Sequence, residues 1–367
     1  MNVAIVHDSL IEFGGAERVL QVLTELFPNT HIYTAFADPS FRKAYLPTVP
    51  PQRFHTSFLQ PLHIDVHTSL FQAISPFVWR HFNLARFDLV ISNSFHLMSN
   101  LVRVPRGVHI ACLQTPPKNI FGIDPPTPLQ RLIHYDTYIR PLYTSSLARL
   151  RHVVVGSKHI QTSLRTRVGV ASTVIYPPVI IPKRPPKQPK GKFFLCISRI
   201  VPYKHLELPI LAANALRAPL KIIGAAFSPS YERHLRSLAG PTVEFLGFQN
   251  DLEKYYADSV AFLFPTYNED FGIAPLEATA HGVPVVAHWS GGVKETVIEG
   301  KTGTFFHALS VPALIEAMKR VRGMRFRPET LYRHAQTFST DHFKREFMAY
   351  VNKVIRSTRV ERSGRSG

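Results

Sequence analysis

Short apolar runs alternate along the chain with stretches whose apolar positions recur every three or four residues. Val3–Val6 is such a run, closed by His7 and Asp8; after Phe13-Gly14-Gly15, apolar residues at 16, 19, 20, 22, 23, 26 and 27 predict a helix over Ala16–Phe27. Further runs predict strands at Ile32–Phe36, Leu89–Ser92, His109–Leu113, Val153–Gly156 and Thr173–Tyr176. Continuous apolar strands between helices belong to a parallel sheet covered on both faces. A second alternation follows, with strands predicted at Phe193–Ser198, Leu220–Gly224, Val243–Leu246, Val260–Phe264 and Val283–Ala287. The last periodic segment, Asp341–Arg356, sets Phe343, Phe347, Val351 and Val354 on one stripe, with Ser339 or Thr340 as N-cap.

Between the two series, residues 177–192 carry six prolines and no acid. Proline lacks an N–H and fixes its own backbone, so neither a helix nor a central strand forms there, and the segment reads as a linker. The expected fold is therefore α/β with two Rossmann-like, doubly wound domains, over residues 1–180 and 193–338. A Pro-rich linker (181–192) joins them. A C-terminal helix (339–356) returns to the first domain, and a flexible basic tail (357–367) follows. A length of 367 residues suits two domains. In open sheets of this kind ligands sit beyond the carboxyl ends of the strands, so chemistry is expected in a cleft between the domains.

Cys112 and Cys196, the two cysteines, lie in apolar runs and read as buried free thiols. No leader peptide or run of roughly 18–20 apolar residues is evident, so a cytoplasmic protein is expected. Charge is the unusual feature: 43 Lys and Arg against 25 Asp and Glu give +18. Such a balance attracts phosphates on nucleotides, lipids or nucleic acid. No nucleic-acid-binding signature accompanies it, so no specific nucleic-acid partner is expected.

Three segments carry candidate chemistry. Gly14 and Gly15 let the backbone approach a ligand at a helix N-terminus, whose free N–H groups and dipole suit phosphate. Arg199 and Lys204 follow the first strand of the second domain and suit a diphosphate. In the segment Pro265–Gly282, Glu269 precedes a helix with Pro275 in its first turn and Gly282 at its stop. Glu277 falls eight positions after Glu269, in the expected first turn. The N–H groups of Phe271, Gly272 and Ile273 lie between these two carboxylates. Carboxylates accept hydrogen bonds from vicinal hydroxyls, which suits a sugar at one end and a ribose at the other. A plain strand-to-helix turn, solvated cations and dipole stabilisation are the alternative readings of the three segments.

The two glutamates separated by seven residues, within Glu-Asp-Phe-Gly-Ile-Ala-Pro-Leu-Glu-Ala, resemble the motif of retaining glycosyltransferases of family 4, which have the GT-B fold. Val-His-Asp…Gly-Gly-Ala-Glu-Arg-Val-Leu, Ser-Arg…Lys, Gly-Val-Pro-Val-Val-Ala and Gly-Gly-Val-Lys-Glu-Thr-Val follow the same family in order over most of residues 1–350. Within it, the chain looks most like bacterial mannosyltransferases of surface-polysaccharide synthesis. The resemblance implies that Arg199 and Lys204 hold the diphosphate of a nucleotide-sugar, with Gly14 and Gly15 closing on it. It implies that Glu277 binds the ribose and that Glu269, with the amides of Phe271, Gly272 and Ile273, binds the transferred sugar. It further implies transfer with retention, no metal, and no cofactor beyond the donor itself, with GDP-mannose favoured. No Asp-x-Asp metal motif is present. Asp251, where the family holds the base, either accepts a guanine edge or caps the following helix.

The chain departs from the family's pattern at Gln114-Thr115-Pro116-Pro117, where a histidine usually lines the acceptor side. Gln114 hydrogen-bonds but takes no proton, which puts any acid–base role there in doubt; His96 or His7 are the candidates to compensate. A second departure is Gly224-Ala225-Ala226-Phe227. An epimerase or hydrolase on a similar fold, or a non-transferring pseudoenzyme, remains an alternative. The aromatic and basic segment Phe54–Phe87 reads either as a surface for a lipid-linked acceptor or as helices packed on the first sheet. Residues 39–123 hold eight Lys/Arg against two acids, and residues 319–367 hold thirteen against four. The expected C-terminal helix would place both on one side of the molecule, facing an anionic membrane surface.

Overall fold

The computed structural model describes residues 1–62, 69–95, 97–115 and 135–363. The chain divides into two compact units: Met1–Pro178 with Phe343–Gly367, and Val179–His342. In the first, β1 (Val3–His7), β2 (His31–Thr34), β3 (Phe54–Thr56), β4 (Leu89–Ser94), β5 (Val108–Leu113), β6 (His152–Val155) and β7 (Thr173–Val174) form a parallel sheet ordered β3-β2-β1-β4-β5-β6-β7. Alternation along β1 sends Val3 and Ile5 into one core, with Val19, Leu20 and Leu23 of the helix Gly15–Leu26, and sends Ala4 and Val6 into the other, with Val78 and Trp79.

The second unit repeats this plan with β8 (Phe193–Ile197), β9 (Leu220–Ile223), β10 (Val243–Phe245), β11 (Ser259–Phe264), β12 (Val285–His288) and β13 (Gly303–Phe306), ordered β10-β9-β8-β11-β12-β13 and all parallel. In each sheet the order reverses once, between β1 and β4 and between β8 and β11. Connections on the two sides of that reversal leave in opposite directions and open a crevice at the strands' carboxyl ends.

Two strands carry no predictive pattern. β3 is three residues long with two polar members, and β13 opens on Gly303 and Thr304. Gly303 is required there, because a Cβ would stand 2.1 Å from the Val285 carbonyl oxygen.

The Pro-rich segment is not a free spacer. The Pro182 carbonyl accepts from the Tyr332 hydroxyl at 2.7 Å, and Lys190 and Lys192 donate their backbone N–H groups to Ala257 and Asp258. Pro186 lies over Gly282. Residues 181–192 are thus packed on the second unit, and the division falls at Pro178.

The last helix runs Thr340–Ser363, beyond the expected end at 356. Seven residues of the expected flexible tail therefore lie inside it. The Ser357 and Thr358 hydroxyls bond back to the Val354 carbonyl, and no Gly or Pro interrupts the chain before Gly364. Residues 364–367 lie outside the described residues. Phe343, Phe347, Val351 and Val354 enter the core of the first unit, and Lys344 pairs with Glu25 at 2.7 Å.

Of the basic segment 319–367, Lys344, Arg345, Lys353 and Arg356 belong to the first unit, whereas Lys319–Arg333 belong to the second. Arg320 is structural, donating to Thr304 Oγ1 at 2.9 Å and to the Phe305 carbonyl. In the aromatic segment Trp79, Phe82 and Phe87 are core residues, while Phe58 and Phe77 are exposed; the Phe71 side chain lies outside the described residues. Both cysteines are buried free thiols, and burial pushes the Cys112 thiol up to about 12.

Because Phe347 is fully buried, Phe347→Ala should cost about 3–5 kcal/mol in urea unfolding of the full chain. A loss below about 1 kcal/mol would mean that the last helix does not complete the first core.

Candidate active site

The reversal between β8 and β11 collects the candidate cations and one candidate acid. Arg199 and Lys204 leave the end of β8, and Glu269 leaves the end of β11. Lys204 Nζ lies 2.6 Å from Glu269 Oε2, although the two are 65 positions apart in sequence. Lys204 is buried, and its ammonium lies 5.1 Å from the Tyr203 ring centre and 5.6 Å from that of Phe264. Arg199 is exposed but braced: its Nη2 donates to the Tyr203 hydroxyl at 2.8 Å, and its guanidinium lies 5.7 Å from the Phe227 ring. Phe227 is reached because Gly224, at φ +152°, passes Ser198 so closely that a Cβ would meet the Ser198 carbonyl oxygen at 1.8 Å. The unusual turn noted in the sequence thus supplies an aromatic support for Arg199.

Exposed aromatic residues line the same edge. Phe248, Phe227, Tyr203, Tyr267 and Trp289 follow β10, β9, β8, β11 and β12, one behind each of five adjacent strands. Three of these rings lie near cations: Phe227 near Arg199, Tyr203 near Lys204 and Trp289 near Lys294. Sequence reading missed this row, because its members are spread over 87 positions; the available signal was an aromatic residue shortly after each predicted strand.

The helix after Glu269 runs Ile273–Ala280 and stops at Gly282, φ +76°. Gly272, at φ +95°, is its N-cap. Glu277 is consequently the fifth helical residue and lies in the second turn, not the first as expected, because the helix begins two residues before Pro275. Phe271 is buried against Phe338, with ring centres 5.7 Å apart. Asp251 is exposed and accepts the Glu253 N–H at 3.0 Å, just ahead of Leu252, the N-cap of the helix Glu253–Asp258.

The first unit's reversal, between β1 and β4, holds the other candidates. Gly14 is the N-cap of the helix Gly15–Leu26, but its N–H is already given to Glu17 Oε2 at 2.8 Å. Glu17 Oε1 also lies 3.1 Å from His7 Nε2. Asn93 Nδ2 reaches His7 Nδ1 at 3.1 Å and the Ala16 carbonyl at 2.8 Å, and Gln114 Nε2 donates to Asn93 Oδ1 at 2.8 Å. The Ala16 carbonyl can only accept, which fixes the Asn93 amide as donor towards His7. His7 Nδ1 then accepts, and its proton sits on Nε2, facing Glu17. Gln114 is therefore one end of a chain of hydrogen bonds that runs through three strands to the glycine turn. His7 is one of its links and is fully buried. Asn93 lies just beyond the strand predicted at Leu89–Ser92 and was not singled out; the observed strand takes it in. Asp8, also fully buried, accepts the backbone N–H groups of Phe95, Leu97 and Ser99 and shapes the loop after β4. His96, Pro116 and Pro117 lie outside the described residues.

With this geometry in place, comparison with known proteins is informative. Residues 180–336 match the model of the family described as Glycosyl transferases group 1, a match that covers almost the whole second unit. A GDP-mannose-dependent alpha-(1-6)-phosphatidylinositol monomannoside mannosyltransferase of Mycolicibacterium smegmatis is 34% identical over 143 residues, covering 34% of this chain and 37% of the relative. A glycogen synthase of Xanthomonas oryzae is 30% identical over 142 residues, covering 36% of this chain and 28% of the synthase. The matched segment thus spans little more than a third of the mannosyltransferase and less than a third of the synthase. Over the whole length, the crystal structure of Anabaena Alr3699/HepE in complex with UDP and glucose superposes with a TM-score of 0.72 at 18% identity, covering 96% of this chain and 99% of that one. The two doubly wound domains are those of the GT-B fold.

Asn93→Ala removes two donors and one acceptor from a buried chain. It should lower stability by about 1–3 kcal/mol in urea unfolding, and more than Gln114→Ala, because Gln114 is only half-buried. Equal losses in the two variants would contradict the order of the chain.

Proposed function

We propose that the protein is a retaining, metal-independent glycosyltransferase that moves a hexose from a nucleotide-sugar to a saccharide or lipid-linked acceptor in cell-surface polysaccharide synthesis. The observation that carries this reading is the Lys204–Glu269 pair beside Arg199 at the strand reversal of a Glycosyl transferases group 1 domain. Mannose is the favoured sugar, on the strength of the mycobacterial relative.

The chemistry follows from the charges. Transfer breaks the bond between the sugar and the diphosphate, and negative charge grows on the departing phosphate oxygen. Lys204 and the braced Arg199 are fixed cations that lower this cost without rearranging. Lys204 and Glu269 neutralise each other at 2.6 Å. A diphosphate adds a second anionic partner for Lys204, leaving a Glu269 oxygen to accept sugar hydroxyls. Glu277 takes the ribose hydroxyls, and Phe248 and Phe227 offer rings on which a nucleobase can stack. Retention places the acceptor oxygen on the face the phosphate leaves, and that phosphate takes the acceptor's proton.

We place the protein in the cytoplasm, held at the inner membrane face by its basic surface and the exposed Phe58 and Phe77. Among the described residues no helix is long and apolar enough to cross a membrane.

Lys204→Ala and Glu269→Ala should each lower nucleotide-sugar turnover at least about 100-fold; full activity in either would sink the assignment. A thermal-shift screen should show stabilisation by GDP-mannose exceeding that by UDP- and ADP-sugars at equal concentration. A larger shift with another nucleotide-sugar would reassign the donor. Binding to vesicles that does not rise with anionic lipid content would remove the membrane from the reading.

A further inference from the structure

Between the motif ending at Ala287 and the one beginning at Gly291 lie His288, Trp289 and Ser290, which belong to neither. His288 is buried at the end of β12. Its Nε2 lies 3.1 Å from the His307 carbonyl, and its Nδ1 lies 2.9 Å from Ser290 Oγ. A carbonyl only accepts, so Nε2 carries the proton and Nδ1 accepts the Ser290 hydroxyl hydrogen. The Ser290 oxygen then keeps a lone pair for the backbone N–H of Asn268, at 2.8 Å. Packing locks the imidazole: the Phe306 ring meets it edge-on at 5.2 Å, and the Tyr267 ring lies 5.5 Å away. Burial lowers the His288 pKa, against the opposing effect of its hydrogen bond to the His307 carbonyl, and so favours the neutral ring this pattern requires.

The strut ends on an unusual backbone. Asn268 is left-handed, at φ +53°, a conformation uncommon for L residues and best tolerated by asparagine. Its neighbour is Glu269. On the other side of Glu269 the backbone is held by glycines. The Glu269 carbonyl accepts from the Gly292 N–H at 2.7 Å, and a Cβ on Gly291 would stand 2.2 Å from that same oxygen. The carboxylate facing Lys204 is thus carried on a turn pinned at both ends, by a backbone contact after it and by the Ser290 hydroxyl before it.

We infer that Ser290, oriented by His288, is a positioning residue for Glu269: its hydroxyl holds Asn268 in the left-handed turn that aims the Glu269 carboxylate at Lys204 and the transferred sugar. The catalytic part of this inference rests on the proposed transferase function; the positioning part rests on geometry alone.

The test uses the full chain with Ser290→Ala and Ser290→Thr, both checked for cooperative unfolding. With GDP-mannose, or whichever nucleotide-sugar the screen identifies, Ser290→Ala should lower kcat by about 10- to 100-fold with the donor KM within about twofold of wild type. Ser290→Thr, which keeps the hydroxyl, should restore kcat to within about threefold. Hydrogen exchange at the Asn268 amide should be faster by about tenfold or more in Ser290→Ala and near wild type in Ser290→Thr. Wild-type kcat in Ser290→Ala, a raised KM with unchanged kcat, or equal damage in both variants would overturn the inference. If the wild-type protein turns over no nucleotide-sugar, the proposed function fails while the exchange measurement still decides the positioning: unchanged exchange in Ser290→Ala refutes it.

Discussion

Parallel pairing of β8 with β11 is the constraint on which the candidate site depends. The two strands are neighbours in space but are separated in sequence by β9, β10 and their helices. A parallel neighbour must be reached by a crossover, and crossovers from the two strands leave towards opposite sides. The loops after them therefore part, and residues at their roots face each other across the gap. Lys204 and Glu269 stand at those roots. Their attraction is a consequence of this topology, since no local turn could join residues so far apart in the chain.

Much of this was legible in sequence because it rests on short-range patterns. Apolar runs marked the interior strands, and the helix stop at Gly282 was readable because a position at φ +76° favours glycine. Arg199, Lys204 and Glu269 were readable as candidates because each follows a predicted strand. Features that depend on long-range contact were hidden. β3 and β13 are strands only because neighbouring strands supply their hydrogen bonds. The asparagine at 93 falls just past the apolar run Leu89–Ser92, yet its amide joins His7 of β1, the Ala16 carbonyl and Gln114 at the end of β5. The two departures at Gln114 and Phe227 looked like defects in a motif. In the fold each has a partner, the amide of Asn93 and the guanidinium of Arg199.

The excess of positive charge separates into different tasks. Lys204 is buried and paired, Arg199 is exposed and braced, and Arg320 ties a helix to β13. Other cations lie on exposed helix faces, where each ion pair contributes little to stability. A net charge therefore says less about a site than the burial and partners of the two or three cations within it.

The placement of the last helix has a consequence for how the chain comes to be folded. A polypeptide leaves the ribosome from its amino end, and units usually fold in that order. Here the first unit lacks part of its core until Phe343–Val354 has been made, whereas all of Val179–His342 is available before then. The unit that begins the chain is thus the last to be completed. Until then the part of the first core that Phe347 fills stands open as apolar surface, and any premature end of translation leaves the amino-terminal half with a hole in it.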